Sequence, residues 1–339
     1  MIDRMGNRIG ERIGAWVVTA HLADGAMSSV YEASHVETGA PVAIKVLKQE
    51  GAGDPVATER FVREYETAKS LRDVHVVEVV DFGETADGAP FIVMELLRGE
   101  TLGSLLEREG PMHPARAARI ICQLALGLRH AHGEGVIHRD LKPGNVFVCD
   151  LEGEERIRIL DFGSVKLQLS MGPKLTAFGT TLGSPCYMSP EQALGRPDVD
   201  PRSDVFSLAA IVYEVTTGEV AFAGDTVGEI LAKIIETDPS PLSDCNPDYP
   251  RALDDVIRKG LCKDKSARFT SAIGLAEAML AALGLPAEVE RWAHAPLDDV
   301  ERLLPGSRLS PAPPGGPPGF HRAAAGERGF GRPTTIPPK

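Results

Sequence analysis

The sequence predicts an α+β protein of two lobes, a small β-rich one followed by a larger, mainly helical one. Between residues 15 and 97, short runs rich in Val and Ile alternate with Gly-containing turns, the mark of strands that pair in sequence order. From Leu102 to Leu283 apolar residues recur at steps of three and four, the period of helices with a buried face. From Pro305 the composition changes, with nine Pro and seven Gly in 35 residues and no collagen period, which predicts a disordered tail.

In the first lobe, residues 15–22, 29–35 and 41–47 read as an antiparallel meander, and 76–82 and 90–96 as two further strands. Between them, residues 59–71 predict a helix, with Phe61, Tyr65, Ala68 and Leu71 on one side and charges on the other. In the second lobe Ala117, Ile121, Leu124, Leu128 and Ala131 form an apolar stripe on a helix that Gly133 and Gly135 end. Residues 205–217 are apolar nearly all round, which predicts a buried central helix closed by Gly218.

Composition removes several classes of function. The 339 residues carry 36 Lys+Arg against 48 Asp+Glu, a net charge of −12, which argues against a nucleic-acid partner. No run approaches the ~18 apolar residues of a membrane span, and the first thirteen residues lack the apolar core of a secretory signal. The five cysteines are scattered, with no C-x-x-C pair, so neither a disulfide framework nor a zinc site is expected and the thiols read as reduced.

Chemistry-bearing residues occur in a fixed order. In Val42-Ala43-Ile44-Lys45, strand alternation puts Ala43 and Lys45 on one face and Val42 and Ile44 on the other. A small residue beside a cation suits a flat ring next to a phosphate, although alone the motif is more often an edge strand with a solvent-facing lysine. His138-Arg139-Asp140-Leu141-Lys142-Pro143-Gly144-Asn145 brings a base, a cation and an oxygen ligand together in one Pro/Gly-bearing loop. Asp161-Phe162-Gly163 follows at the end of a short predicted strand, 157–160.

Taken together with Ser189-Pro190-Glu191, these motifs resemble those of the protein kinase family from about Ile13 to Leu283. The wording Cys186-Tyr187-Met188-Ser189-Pro190-Glu191-Gln192 is similar to the Hanks-type serine/threonine kinases of bacteria. The resemblance implies a bilobal protein-kinase fold: an N-terminal extension over 1–13, an N-lobe over 14–95, a hinge at 95–99 and a C-lobe over 100–283. A linker or helical extension over 284–304 and the tail 305–339 complete the layout.

The resemblance also implies roles. Lys45 would hold the α- and β-phosphates of ATP and pair with Glu64. Asp140 would accept the proton of the substrate hydroxyl. Lys142, two residues on, would neutralise the phosphoryl group in flight, a spacing that suits serine/threonine rather than tyrosine substrates. Asn145 and Asp161 would bind Mg²⁺, with Mn²⁺ able to replace it. Leu22, Val30 and Ala43 above and Phe147 below would enclose adenine, the Glu95 carbonyl and Leu97 N–H would bond its edge, and Met94 would lie behind it. Glu191 would form a buried ion pair with Arg268, and Asp204 would hold the catalytic-loop backbone; small-molecule kinases of related fold lack the Ser-Pro-Glu segment, so a protein substrate is expected.

Regulation follows from Arg139, a cation directly before Asp140 that a phosphate on the activation segment would satisfy. Thr176 and Thr180 are the expected phosphosites, and a homodimer would allow phosphorylation in trans. Ser184 matches a position whose hydroxyl contacts the catalytic Asp and Lys. The expected function is transfer of the γ-phosphoryl group of ATP to protein Ser/Thr hydroxyls in the cytoplasm, with no membrane partner. One departure stands out: the phosphate-covering loop reads Ala23-Asp24-Gly25-Ala26-Met27-Ser28, keeping only the middle glycine, Gly25. Extra Cβ atoms and an acid near the phosphates favour an alternative, a pseudokinase scaffold with weakened nucleotide binding.

Overall fold

The structure, a computed structural model, describes residues 8–25, 27–48, 51, 54–151, 153–162 and 185–304. Thr176, Thr180 and Ser184, and the tail 305–339, lie outside the described residues.

Six antiparallel strands form the first lobe: β1 (Arg12–Ile13), β2 (Trp16–Asp24), β3 (Ser28–His35), β4 (Pro41–Leu47), β5 (Val79–Glu84) and β6 (Pro90–Glu95), in the spatial order β1-β2-β3-β4-β6-β5. The two faces of β4 part as alternation requires. Val42, Ile44 and Val46 join a core with Trp16, Tyr31 and Phe91. On the other face Leu47 packs with Ile92 against Phe61 of helix α1 (Pro55–Ser70), and Lys45 shares that face.

Helix α1 begins four residues before the predicted start. Pro55 occupies the first turn, and the Asp54 side chain accepts the Val56 N–H at 2.9 Å, a cap whose signal lies outside the apolar period. Residues 96–98 then lead to β7 (Gly99–Thr101), which pairs with β8 (Val146–Leu151) and through it with β9 (Glu154–Ile159). Gly99 is required here: its φ is +146°, and a Cβ would stand 2.1 Å from the Val148 carbonyl oxygen.

The second lobe is built around helix α3 (Pro114–Gly133), which follows α2 (Leu102–Glu109). The expected stripe is present on α3, with Ala117, Ile121, Leu124, Leu128 and Ala131 all buried, and the helix is buried on most of its other sides as well, because α5 (Pro201–Thr217), α9 (Ala272–Ala282), α10 (Val289–His294), α11 (Leu297–Leu303) and β9 pack around it. Ile120, Ile121, Leu124 and Leu128 are wholly buried, each stabilising the fold by ~1.5–3 kcal/mol relative to exposure. Helix α5 is the buried central helix. It starts at Pro201, where the Asp200 side chain accepts the Arg202 N–H, and ends at Gly218 with φ +77°. The short α4 (Pro190–Ala193), with α6 (Val227–Glu236), α7 (Leu242–Cys245) and α8 (Ala252–Gly260), completes the described helices of this lobe.

Helices α10 and α11 belong to the same core as α3, through Val289, Trp292, Val300 and Leu304. Trp292 donates its indole N–H to the Pro286 carbonyl at 2.7 Å. His294 stacks on His75, ring centroids 5.7 Å apart, so this C-terminal segment reaches the loop between α1 and β5. No described helix is long and apolar enough to cross a membrane.

Candidate active site

Lys45 projects from the middle of β4, opposite Val30 and Ile92. Its Nζ donates to Glu64 Oε1 of α1 at 2.6 Å and to Asp161 Oδ1, just beyond β9, at 2.7 Å. One ammonium therefore joins the two lobes. Burial works against its charge, but the two carboxylates outweigh burial and raise the Lys45 pKa, keeping it protonated. Glu64 is pushed up to about 7, by burial first and by the neighbouring Asp161, against the pull of Lys45. Burial pushes Asp161 up as well, yet its side chain is 40% exposed, and Lys45 prevails and holds its pKa below the ordinary value.

The loop from His138 to Asn145 lies between α3 and β8. Arg139 and Asp161 are the described non-glycine residues with left-handed backbone, φ 66° and 57°, a conformation that costs about 1–3 kcal/mol and persists where surroundings enforce it. The enforcing contacts are visible. Asp204, buried near the start of α5, accepts the His138 N–H at 2.8 Å through Oδ2 and the Arg139 N–H at 2.9 Å through Oδ1. His138 Nδ1 accepts the Asp140 N–H at 3.2 Å, so its Nε2 carries the proton and donates to the Leu160 carbonyl at 2.9 Å. Phe162, also buried, meets the same imidazole edge-on at 4.7 Å.

Within the loop, Lys142 Nζ donates to Asp140 Oδ2 at 2.9 Å, and Asn145 Nδ2 donates to the Asp140 carbonyl at 2.8 Å. Asp140 is thus steered by a cation and an amide two and five residues ahead of it. With its nitrogen committed, Asn145 offers its carbonyl Oδ1 as a metal ligand, and Asp161 offers carboxylate oxygen. A neutral and an anionic oxygen fit a hard cation that keeps waters and takes its remaining ligands from phosphates. Among the described residues no group of three or more His, Cys, Asp or Glu side chains is arranged to hold a metal by itself.

Of the residues expected around adenine, Ala43 and Met94 face each other across β4 and β6, and Val30 pairs with Ala23 and Lys45. Leu22 is 45% exposed, so this end of β2 is not packed as core. Leu97 lies in the connection between the lobes, and Phe147 on β8 pairs with Thr101 and Arg158. The Glu95 side chain accepts Arg158 Nε and the Glu78 N–H, each at 3.0 Å, which fixes the course of the connection.

The altered phosphate-covering loop has its own ties. Gly25 N–H closes onto the Ser28 carbonyl at 2.8 Å. Asp24 Oδ1 accepts from Ser29 Oγ at 2.6 Å, which holds the carboxyl below its ordinary pKa, and Lys48 Nζ donates to the Gly25 carbonyl at 2.7 Å. The acid expected near the phosphates is therefore bonded along its own strand pair.

Glu191 and Arg268 meet 77 residues apart in sequence, at 2.8 and 2.7 Å between paired oxygens and nitrogens. The remaining Arg268 donors reach the carbonyls of Cys262, Arg202 and Lys263, and Ser203 Oγ donates to Glu191 at 2.6 Å. The sequence assigns no role to three residues of the loop's support: the His138 ring, Gln192, and His132, whose Nε2 lies 2.8 Å from Asp204 Oδ2. Asp204 itself stands 72 residues from His132, and no local pattern links positions so far apart.

The protein kinase domain family matches residues 16–281. The serine/threonine-protein kinase PknH of Mycobacterium bovis is 35% identical over 315 residues, 93% of this chain and 51% of that protein. The serine/threonine-protein kinase pkn2 of Myxococcus xanthus is 39% identical over 272 residues, 79% of this chain and 32% of that protein. This chain thus spans about half the length of the first relative and about a third of the second. The crystal structure of the Mycobacterium tuberculosis PknI kinase domain is similar with a TM-score of 0.64 at 28% identity, over 81% of this chain and 98% of that one. With a lysine, two carboxylates and a base loop in this arrangement, and with these relatives, the chain belongs to the protein kinase family, in the company of bacterial Hanks-type serine/threonine kinases.

Proposed function

We propose that the chain transfers the γ-phosphoryl group of ATP to serine or threonine hydroxyls of proteins, and that phosphorylation of its own activation segment raises that activity. The observation that supports this most is the 2.7 Å contact between Lys45 and Asp161, which brings a phosphate-holding cation of one lobe to a metal-ligand carboxylate of the other.

In this reading Lys45 orients the α- and β-phosphates, and Glu64 keeps its ammonium aimed. Asp140 takes the proton of the substrate hydroxyl as its oxygen bonds to the γ-phosphorus and the bond to the ADP oxygen breaks. Lys142 offsets the charge on the migrating group. Mg²⁺, held by Asn145 and Asp161, would supply further charge neutralisation, and Mn²⁺ would suit the same donors. Arg139 would receive a phosphate on Thr176 or Thr180, transferred between two copies in a homodimer. A cytoplasmic place of action follows from the need for ATP.

A second reading, a scaffold that binds nucleotide without transfer, is favoured by one observation, Ala23 and Ala26 where the phosphate-covering loop of the family carries glycine. Incorporation of labelled phosphate from ATP and Mg²⁺ into the protein and a basic acceptor decides between them, with Asp140→Asn beside the wild type. Label that depends on Asp140 and maps to Thr176 or Thr180 is the expected result. Nucleotide binding without label would establish the scaffold.

A further inference from the structure

Gln192, the third residue of the short helix α4 that Ser189 caps, has no assigned part in the chemistry. Its two amide atoms are both engaged. Oε1 accepts the Ser189 N–H and the Ser189 hydroxyl, each at 3.1 Å, closing a capping box. Nε2 points the other way and donates to the Arg139 carbonyl at 2.7 Å.

That carbonyl belongs to the peptide joining Arg139 to Asp140. The N–H of the same peptide is bonded to His138 Nδ1 at 3.2 Å. One peptide plane is therefore held at both edges, by Gln192 on the oxygen side and His138 on the nitrogen side, while Asp204 holds the N–H one residue earlier. With Arg139 at φ 66°, the plane has no relaxed resting place of its own, and its tilt sets the direction of the Cα–Cβ bond of Asp140.

We propose that Gln192 is a positioning residue for phosphoryl transfer: its amide N–H fixes the 139–140 peptide and thereby the aim of the Asp140 carboxylate. The inference rests on the kinase reading of Asp140. It also gives the segment carrying Glu191 a direct mechanical tie to the base. Gln192 contacts no reacting atom; it acts through the backbone.

The test separates its two bonds. Gln192→Glu keeps an acceptor for the Ser189 cap and loses the donor to Arg139, whereas Gln192→Met loses both. With the full chain, ATP, Mg²⁺ and a basic protein acceptor, kcat for Gln192→Glu at pH 8 should fall about 10- to 100-fold, the scale of a misaimed catalytic group. KM for ATP should stay within about twofold and the melting temperature close to wild type, because cap and nucleotide contacts remain. Lowering the pH should raise the ratio of Gln192→Glu to wild-type kcat, since a protonated carboxyl regains a donor for the Arg139 carbonyl. A kcat within about twofold of wild type at pH 8, or a loss that tracks the melting temperature and ignores pH, overturns the proposal while leaving the kinase reading intact. Wild type that transfers no phosphate overturns both.

Discussion

Arg268 grips both carboxylate oxygens of Glu191, and neither side chain reaches solvent. Taking two charges out of water is repaid only when every remaining donor is satisfied, and here the carbonyls of Cys262, Arg202 and Lys263 complete the guanidinium. The pair fastens α4 to the turn before α9. Breaking it from one side leaves a buried charge alone, so Arg268→Met should cost about 3–5 kcal/mol, read as a lowered melting temperature or denaturant midpoint. Burial opposes the Glu191 charge, but the Arg268 and Ser203 hydrogen bonds outweigh it and set its pKa below the ordinary 4.5. The stability from that ionised carboxylate is present above pH 4.5 and lost as the pH falls below it; the acid limb of a stability profile should flatten in Glu191→Gln.

Glu64 predicts the opposite slope. Its folded pKa of about 7 lies above the ordinary 4.5, so the folded chain binds the extra proton between those values. Its contribution to stability is full below pH 4.5 and declines as the pH rises toward 7. Thermal unfolding of wild type and Glu64→Gln across that range should show the wild-type advantage shrinking with rising pH. A difference independent of pH would contradict the assignment.

Lys45→Met should abolish phosphoryl transfer, by a factor of about 10² or more, with the fold retained, because the methionine is close in length and the strand keeps its packing. Labelled-phosphate incorporation and circular dichroism together check both halves.

Gly99 tolerates no side chain. An added Cβ meets the Val148 carbonyl at 2.1 Å and the Cys149 Cα at 3.0 Å, at a φ of +146°. Gly99→Ala should lower stability by about 3 kcal/mol or more, measured by denaturant unfolding.

His75 is buried. Burial pushes its pKa from 6.5 down to about 4. It folds as the neutral form, and the stability so obtained is present above pH 6.5 and lost as the pH falls through 4. His75→Gln should flatten the melting-temperature profile across that interval.

The two-lobed architecture was legible because strand alternation in 41–47 and helical spacing in 59–71 are local signals, and because Lys45, Asp140, Asn145 and Asp161 recur in a family order. Boundaries were less so. Helices α1 and α5 each begin four residues early, at Pro55 and Pro201, where an aspartate cap replaces apolar period as the start signal. The stripe on α3 was legible, but the burial of its other faces was not, because partners from five separate elements cover them. Gln192 and His132 stayed hidden because their bonds run to a backbone carbonyl 53 residues away and to a carboxylate 72 away, and neither distance leaves a pattern in sequence.

The packing of α10 and α11 has a practical corollary for anyone dissecting the chain. The family match stops at residue 281, yet Val289, Trp292 and Val300 lie in the same apolar cluster as α3. A fragment cut at the family boundary would strip a ready-made lid from that helix and present a sticky apolar flank to other molecules. A piece that keeps this lid ends after Leu304, beyond the residue at which the family match stops.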